Sequence, residues 1–319
     1  MLLLRPRTPE PPTHGVTSMH ELVALPSRAQ QAASLFARHG VAVFDGVLPA
    51  DLCAALASEL AINGSRQRDV VNGKLRSDTV GDPNDASLRW NSAQSPARGL
   101  VGEVLRLVAQ HLGAFLVAAL GAGAEEVQLL ECGSIVSYPG APAQTWCAAP
   151  PPPYQHALLS PRLTARADCA CGRHADSDLH NSCEATTAVL QLQLVDMDST
   201  IGPIEVRPFV PLDTGQVDLP MLLKAGSVVA YDSKVWHRGG ANVGNTPRPV
   251  LYTTWMAADD GLLPRNMGYT IAHAEMGAWT LARLQEREGE PASPRHVGAA
   301  SGLQSVPIEI EVAPAFSVS

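Results

Sequence analysis

Two short stretches carry the residue types of a metal centre. His174-Ala175-Asp176 places an imidazole and a carboxylate two residues apart. On a strand end that spacing puts both side chains on one face. With a second imidazole from elsewhere, such a pair makes a facial triad, which holds a redox-active iron and leaves positions open for substrates and oxygen. In a chain with ten histidines a His-x-Asp also arises by chance, so a His beside an Asp in a loop is the plain alternative. The second stretch is Trp236-His237-Arg238-Gly239-Gly240-Ala241-Asn242, with Arg248 eleven residues past His237. GSVVAYDSKVWH reads as a strand ending at His237, and Arg248 opens the next, RPVLYTTW. Two such ends can aim into one barrel mouth. A buried guanidinium needs an anion, and its fork suits a carboxylate. The alternative is a His and an Arg in an exposed, turn-rich hairpin.

A competing metal set uses Cys169, Cys171, His174, His180 and Cys183. Thiolates and imidazoles are zinc ligands, although C-x-C-x2-H-x5-H-x2-C is not a usual structural zinc spacing. Two further stretches, Tyr138-Pro139-Gly140-Ala141-Pro142-Ala143-Gln144-Thr145-Trp146 and Val195-Asp196-Met197 followed by Gly202-Pro203-Ile204-Glu205-Val206, pass as strand plus turn when taken singly.

The elements that must position these residues follow from pattern. The 319 residues carry a formal net charge of −8, with 45% hydrophobic, 17% charged and 5% aromatic residues. An acidic chain with few aromatics is poorly suited to nucleic acid or to an anionic membrane surface. No signal peptide, uninterrupted apolar span or targeting address is legible, which leads to the expectation of a cytoplasmic protein with free thiols. Residues 1–20 read as a flexible lead-in. Ser27 is placed to cap a helix over 28–38 that Gly40 stops, GVAVFDGVL (40–48) reads as a strand, and a second helix follows over 50–62. Residues 63–97 read as a polar excursion, and 100–120 as an amphipathic core helix. After Gly123 the texture changes. Strands are expected in 127–140, in TTAVLQLQLVDM (186–197, strictly alternating and therefore half-buried), and in 203–211, 226–233 and 248–256. A helix is expected over GYTIAHAEMGAWTLARLQ, an edge strand at VPIEIEV (306–312), and small buried thiols at Cys53 and Cys132. Helices followed by a run of short strands suggest an antiparallel barrel or sandwich packed by N-terminal helices. A single domain over 21–283 and a tail over 284–319 are expected.

Taken in order, YPGAPAQTW, His-x-Asp, LQLQLVDM…GPIEV and GSVVAYDSKVWHRGGAN…R resemble the phytanoyl-CoA dioxygenase family, over about residues 30–256. The resemblance implies a mainly β double-stranded β-helix (jelly-roll, cupin-like) core with flanking helices. It also implies an Fe(II)- and 2-oxoglutarate-dependent dioxygenase that hydroxylates a small organic substrate with O2, releasing succinate and CO2, with ascorbate as accompanying reductant. On that pattern His174, Asp176 and His237 hold the iron and Arg248 pairs with the far carboxylate of 2-oxoglutarate. Gln144 and Trp146 shape the co-substrate pocket, and Asn242 fixes the turn after His237. In the family the PGAxxQ-W stretch runs directly into His-x-Asp, whereas here Cys147-Ala148-Ala149 follows Trp146. Skipping residues 147–173, which hold a four-proline run, restores the pattern. They are read as an insertion, either a loop or an unspliced piece of gene. Arg207-Pro208-Phe209-Val210 departs from the family's Pro-Gly-Ser-His turn. Two alternatives of other classes stay open: a catalytically silent jelly-roll binding protein disabled by the insertion, and a zinc-stabilised interaction module.

Overall fold

The computed structural model describes residues 18–63, 69–71, 74–76, 88–97, 99–144, 146, 186–209, 217–258, 270–271, 275 and 277–286. His174, Asp176, the cysteine cluster at 169–183, the segment 147–173 and the VPIEIEV stretch lie outside these residues. In chain order the elements are β1 (Val23–Ala24), α1 (Ala29–His39), β2 (Val41–Phe44), α2 (Ala50–Asn63), β3 (Asp69–Val71), β4 (Lys74–Arg76), β5 (Arg89–Ala93), α3 (Gly99–Leu120), β6 (Val127–Ser137), β7 (Thr187–Gln193), β8 (Ile204–Arg207), β9 (Leu219–Pro220), β10 (Val228–Asp232), β11 (Trp236–Gly239), β12 (Arg248–Ala257) and α4 (Leu281–Gln285).

Seven strands form the larger sheet in the order β1-β2-β10-β7-β12-β6-β5, and β11-β8-β9 form the smaller one. From β7 on, the chain alternates between them: β8 and β9 on the smaller sheet, β10 back on the larger, β11 across, β12 back. Neighbouring strands in this winding are antiparallel. This is the double-stranded β-helix, or jelly roll, with helices on the outer face of the larger sheet.

The local chemistry explains most of the elements. Gly40 ends α1 at φ 69°, and its N–H bonds the Phe36 carbonyl. This is the left-handed stop that a Cβ would strain. The start of α1 differs from expectation: Arg28, not Ser27, occupies the cap position, and it makes no side-chain cap bond. Helix α3 is long and apolar enough to cross a membrane by length and composition. However, Val104, Leu105, Val108, Leu112, Phe115 and Leu116 are fully buried against α1 and the sheet. Phe115 meets Phe36 and Phe44 edge-on, at ring distances of 5.7 and 4.9 Å. Cys53 and Cys132 are both buried free thiols.

Three other expectations are corrected. The alternation of 186–197 predicted a half-buried strand, yet all seven residues of β7 are buried. Its polar face is turned into the space between the two sheets rather than to solvent. Among the described residues of the expected helix over 268–285, only Leu281–Gln285 forms an α-helix: Gly277 at φ 76° breaks the backbone, and Thr280 bridges Gln128 in extended form before capping α4. Finally, 226–237 is not one strand. Asp232 accepts from the Lys234 N–H and the Val235 N–H bonds the Asp232 carbonyl. That turn sends the chain from the larger sheet to the smaller, so His237 lies within a separate strand, β11.

Phe115 fills the junction between α3, α1 and β2. Phe115→Ala is expected to lower unfolding free energy by about 3–5 kcal/mol, measured by urea denaturation, whereas Leu25→Ala on the exposed surface should shift it by less than about 0.5 kcal/mol.

Candidate functional site

Strand β11 pairs with β8 in the register His237↔Val206 and Gly239↔Ile204. Its burial alternates: Trp236 exposed, His237 buried, Arg238 half-buried, Gly239 buried. His237 and Gly239 therefore face the interior between the sheets, while Trp236 and Arg238 face outward. The Nδ1 of His237 lies 2.8 Å from the Val235 carbonyl oxygen. A carbonyl only accepts, so Nδ1 carries the proton, and the lone pair of the neutral ring sits on Nε2, the state in which imidazole binds a metal. The Tyr231 ring lies 4.7 Å from the His237 ring and tilts against it, which restricts its rotation.

The motifs around residues 140 and 240, about a hundred positions apart, are laced together. The Gly140 N–H bonds the Asn242 carbonyl, and the Asn242 N–H bonds the Ala141 carbonyl. The Gln144 N–H bonds the Gly239 carbonyl at 2.9 Å, and the Gly239 N–H returns to Gln144 Oε1 at 2.7 Å. A Cβ on residue 239 would lie 2.6 Å from that Oε1 and 3.5 Å from Arg248 Nη2. Glycine at 239 is thus what lets Gln144 and Arg248 converge one inner-face step, about 7 Å, from His237. Asn242 donates to the carbonyls of Ser137 and Thr246, both at 2.9 Å, and accepts from the Gly244 N–H. It pins the turn between β11 and β12, as expected.

Arg248 is 2% exposed. It donates through Nη2 to Ser137 Oγ at 2.8 Å and through Nη1 to the Gly202 carbonyl, while its Nε is buried with no partner. Arg89, unread in the sequence, stands beside it on β5. Arg248 and Arg89 both pair in register with Ser137, so one row across three strands carries Arg-Ser-Arg. Arg89 donates Nε to the same Ser137 Oγ at 2.8 Å, and Nη2 to the carbonyls of Pro142 and Gly240 at 2.9 and 3.0 Å. No carboxylate contacts Arg248 among the described residues. Burial, helped by the charge of Arg89, pushes its guanidinium down to about 9. An anion placed against Arg248 would reverse both effects.

Trp146 takes the opposite side of β11. Its ring lies under the guanidinium groups of Arg207, 3.8 Å away, and Arg238, 4.6 Å away. Those two arginines pair with Asp218 and Glu205 on the outer face. The structure thus brings Gln144 and Arg248 together at Gly239, one inner-face step along β11 from His237, and stacks Trp146 on the outside. Among the described residues no three His, Cys, Asp or Glu side chains gather as a metal site. Ser137 and Arg89 escaped the sequence reading because Arg89-Trp90-Asn91-Ser92-Ala93 lies in polar text and shows no strand-like apolar alternation.

No protein-family model matches the chain, and no curated protein matches it. Solved structures do. The epimerase SnoN in complex with Fe3+, alpha ketoglutarate and nogalamycin RO aligns at 14% identity with a TM-score of 0.50, over 79% of this chain and 98% of that one. The non-heme alpha ketoglutarate dependent carbocyclase SnoK aligns at 14% identity and TM-score 0.49, over 72% and 84%. A Pseudomonas putida prolyl-4-hydroxylase aligns at 18% identity and TM-score 0.44, over 72% and 99%. At such identity the likeness to SnoN speaks for the jelly-roll fold.

If the Arg248 row is an anion cradle, succinate at a hundredfold excess over its Kd should stabilise the full chain by about 2.7 kcal/mol. That is read as a concentration-dependent rise in Tm, and Arg248→Met should abolish it.

Proposed function

We propose that this protein is an Fe(II)- and 2-oxoglutarate-dependent oxygenase acting on a small organic molecule. Arg248 carries the reading: a buried guanidinium with an orphaned Nε and a cation as its charged neighbour is held ready for a carboxylate from outside the chain. A protein keeps such a charge out of water, at a cost of several kcal/mol, when a ligand returns the interaction. A dicarboxylate laid along the interior would reach Arg248 with one end and approach His237, one inner-face step from Gly239, with the other.

Among the described residues, Arg248 suits a carboxylate of the co-substrate and His237 suits one position on the metal. His237 has its tautomer set by the Val235 carbonyl, which suits Nε2 to a divalent metal. His174 and Asp176 would complete the ligand set by the motif order. Beyond Trp146 the chain enters the segment that carries them, and Gln144 already lies against β11, the edge strand of the smaller sheet in the described residues. When bound, Fe(II) and 2-oxoglutarate supply oxidative decarboxylation coupled to oxidation of a C–H bond. The chain's own work is to bind, orient and exclude water. Arg248 would hold the far carboxylate by charge-assisted hydrogen bonds. Ser137, which accepts from both arginines, orients the pair, and Arg89 fixes Pro142 and Gly240 behind it. Gln144 keeps the Gly239 backbone in place, and Trp146 steadies β11 from outside rather than touching ligand. Val206 and Tyr231 shield His237 from water. Precise placement of reacting groups is worth several kcal/mol of barrier, which gives these bracing contacts a catalytic consequence.

The silent-binder alternative keeps the same cradle and differs in the segment between Trp146 and His174. The test is conversion of 2-oxoglutarate to succinate by the full chain and by a chain lacking 147–173, with added Fe(II). Turnover in either chain is expected. Its absence in both, with succinate still binding, would favour the silent protein. His237→Ala should abolish iron binding. Arg248→Ala should raise the 2-oxoglutarate requirement by at least about tenfold, the equivalent of about 1.4 kcal/mol, while sparing iron. An unchanged requirement refutes the arginine's assignment. Iron without zinc in the purified protein, by metal analysis, would dispose of the zinc-module alternative.

A further inference from the structure

We propose that the side-chain amide of Gln191 recognises the organic substrate by accepting a hydrogen bond from a hydroxyl or N–H group on it. This rests on the function proposed above and adds a substrate class: a molecule that carries a hydrogen-bond donor beside an otherwise apolar body. Gln191 lies on the inner face of β7, in register with Val229 of β10 on one side and Tyr252 of β12 on the other. It is 7% exposed, and its Oε1 is buried without a partner. A buried carbonyl oxygen left in that state costs folding free energy, which a donor on a ligand would return.

The neighbouring polar groups of the interior are engaged with one another. Thr254 donates to Glu131 at 2.9 Å, and the Tyr252 hydroxyl donates to Asn91 at 3.1 Å. To reach Asn91 the Tyr252 ring lies across Gly133, whose added Cβ would meet the ring at 2.5 Å. The tyrosine therefore leans away from Gln191, whose register neighbour on the other side is Val229. Val189, the next inner residue of β7, pairs with Tyr231, and the Tyr231 ring touches His237. Gln191 and Tyr231 are thus diagonal neighbours, about 7–8 Å apart. A ligand bonded to Gln191 has its body within reach of the metal position.

The co-substrate does not answer the need of Oε1. At neutral pH 2-oxoglutarate is a dianion with acceptor oxygens and no donor. With the amide turned so that Oε1 is the buried atom, its donor comes from a second ligand, and a site built to accept such a bond discriminates strongly against an analogue that lacks the donor.

Two soluble six-membered rings serve as probes: cyclohexanol, which donates and accepts, and tetrahydropyran, which accepts only. Their dissociation constants are measured by ligand-observed NMR on the full chain. At least tenfold tighter binding of cyclohexanol is expected, the ratio falling to about one in Gln191→Met and in Gln191→Leu, with Tm not lowered in at least one of the two. Equal binding, no binding of either probe, or a preference that survives both substitutions overturns the proposal. So does a tenfold rise in the 2-oxoglutarate requirement of Gln191→Met without an alcohol preference, which would assign the amide to the co-substrate. Loss of the underlying function would appear separately, as no succinate formed by the wild-type chain, and would leave the alcohol–ether comparison readable.

Discussion

A cation sealed from water, with no carboxylate beside it among the described residues, is the constraint around which this site is arranged. Arg248 is held by a serine hydroxyl and a carbonyl, both neutral, and Arg89 presses a like charge against it across Ser137. Neutral acceptors recover part of the lost hydration but none of the charge. The rest of the pocket accommodates that deficit. β12 begins at Arg248 so that its side chain starts inside, β5 adds an edge strand that brings the second guanidinium, and the carbonyls of Pro142, Gly202 and Gly240 turn toward the two forks.

Close backbone approach makes this arrangement possible. Gly202 and Gly240 lie against each other, and a Cβ on either would collide with main-chain atoms of the opposite segment. Gly239 leaves room for the Gln144 amide and the tip of Arg248. Three glycines in two distant stretches therefore let the loop before β8, the end of β11 and the PGA turn nest within hydrogen-bonding distance. The interior is consequently polar at the arginine end and mixed further along, where valines alternate with Gln191, Tyr252 and Thr254. Under the proposed function, the polar end would take the charged co-substrate and the mixed end a partly apolar molecule.

Much of the scaffold is legible in the sequence because it is local. Gly40 stops α1, the period of 100–120 makes α3, and Val/Ile/Leu-rich text bounded by Gly and Pro gives β6, β10 and β12. His237 and Arg248 stand out only through the order of the motifs, because a His and an Arg beside strand ends, taken alone, also fit an exposed hairpin. The polar face of β7 was misjudged for a physical reason. Alternation reports that two faces differ, but not whether the polar one meets water or a lined cavity. Arg89 was invisible because its meaning lies in a register partner 48 residues away, and nothing near it in the chain signals a strand. Gly277 was outvoted by the helical text around it.

Sequence by itself determined most of the elements, some of the turns, and the residue types and order that the two motifs share, since these depend on short-range sterics and on side-chain chemistry. Tertiary structure alone decided that His237 and Gly239 face inward while Trp146 stacks outside, that two arginines share one serine, and that Gln191 is buried with its Oε1 unpartnered among the described residues. These outcomes depend on which strands lie side by side and in what register, and a one-residue shift in that register would send each of these side chains to the other face.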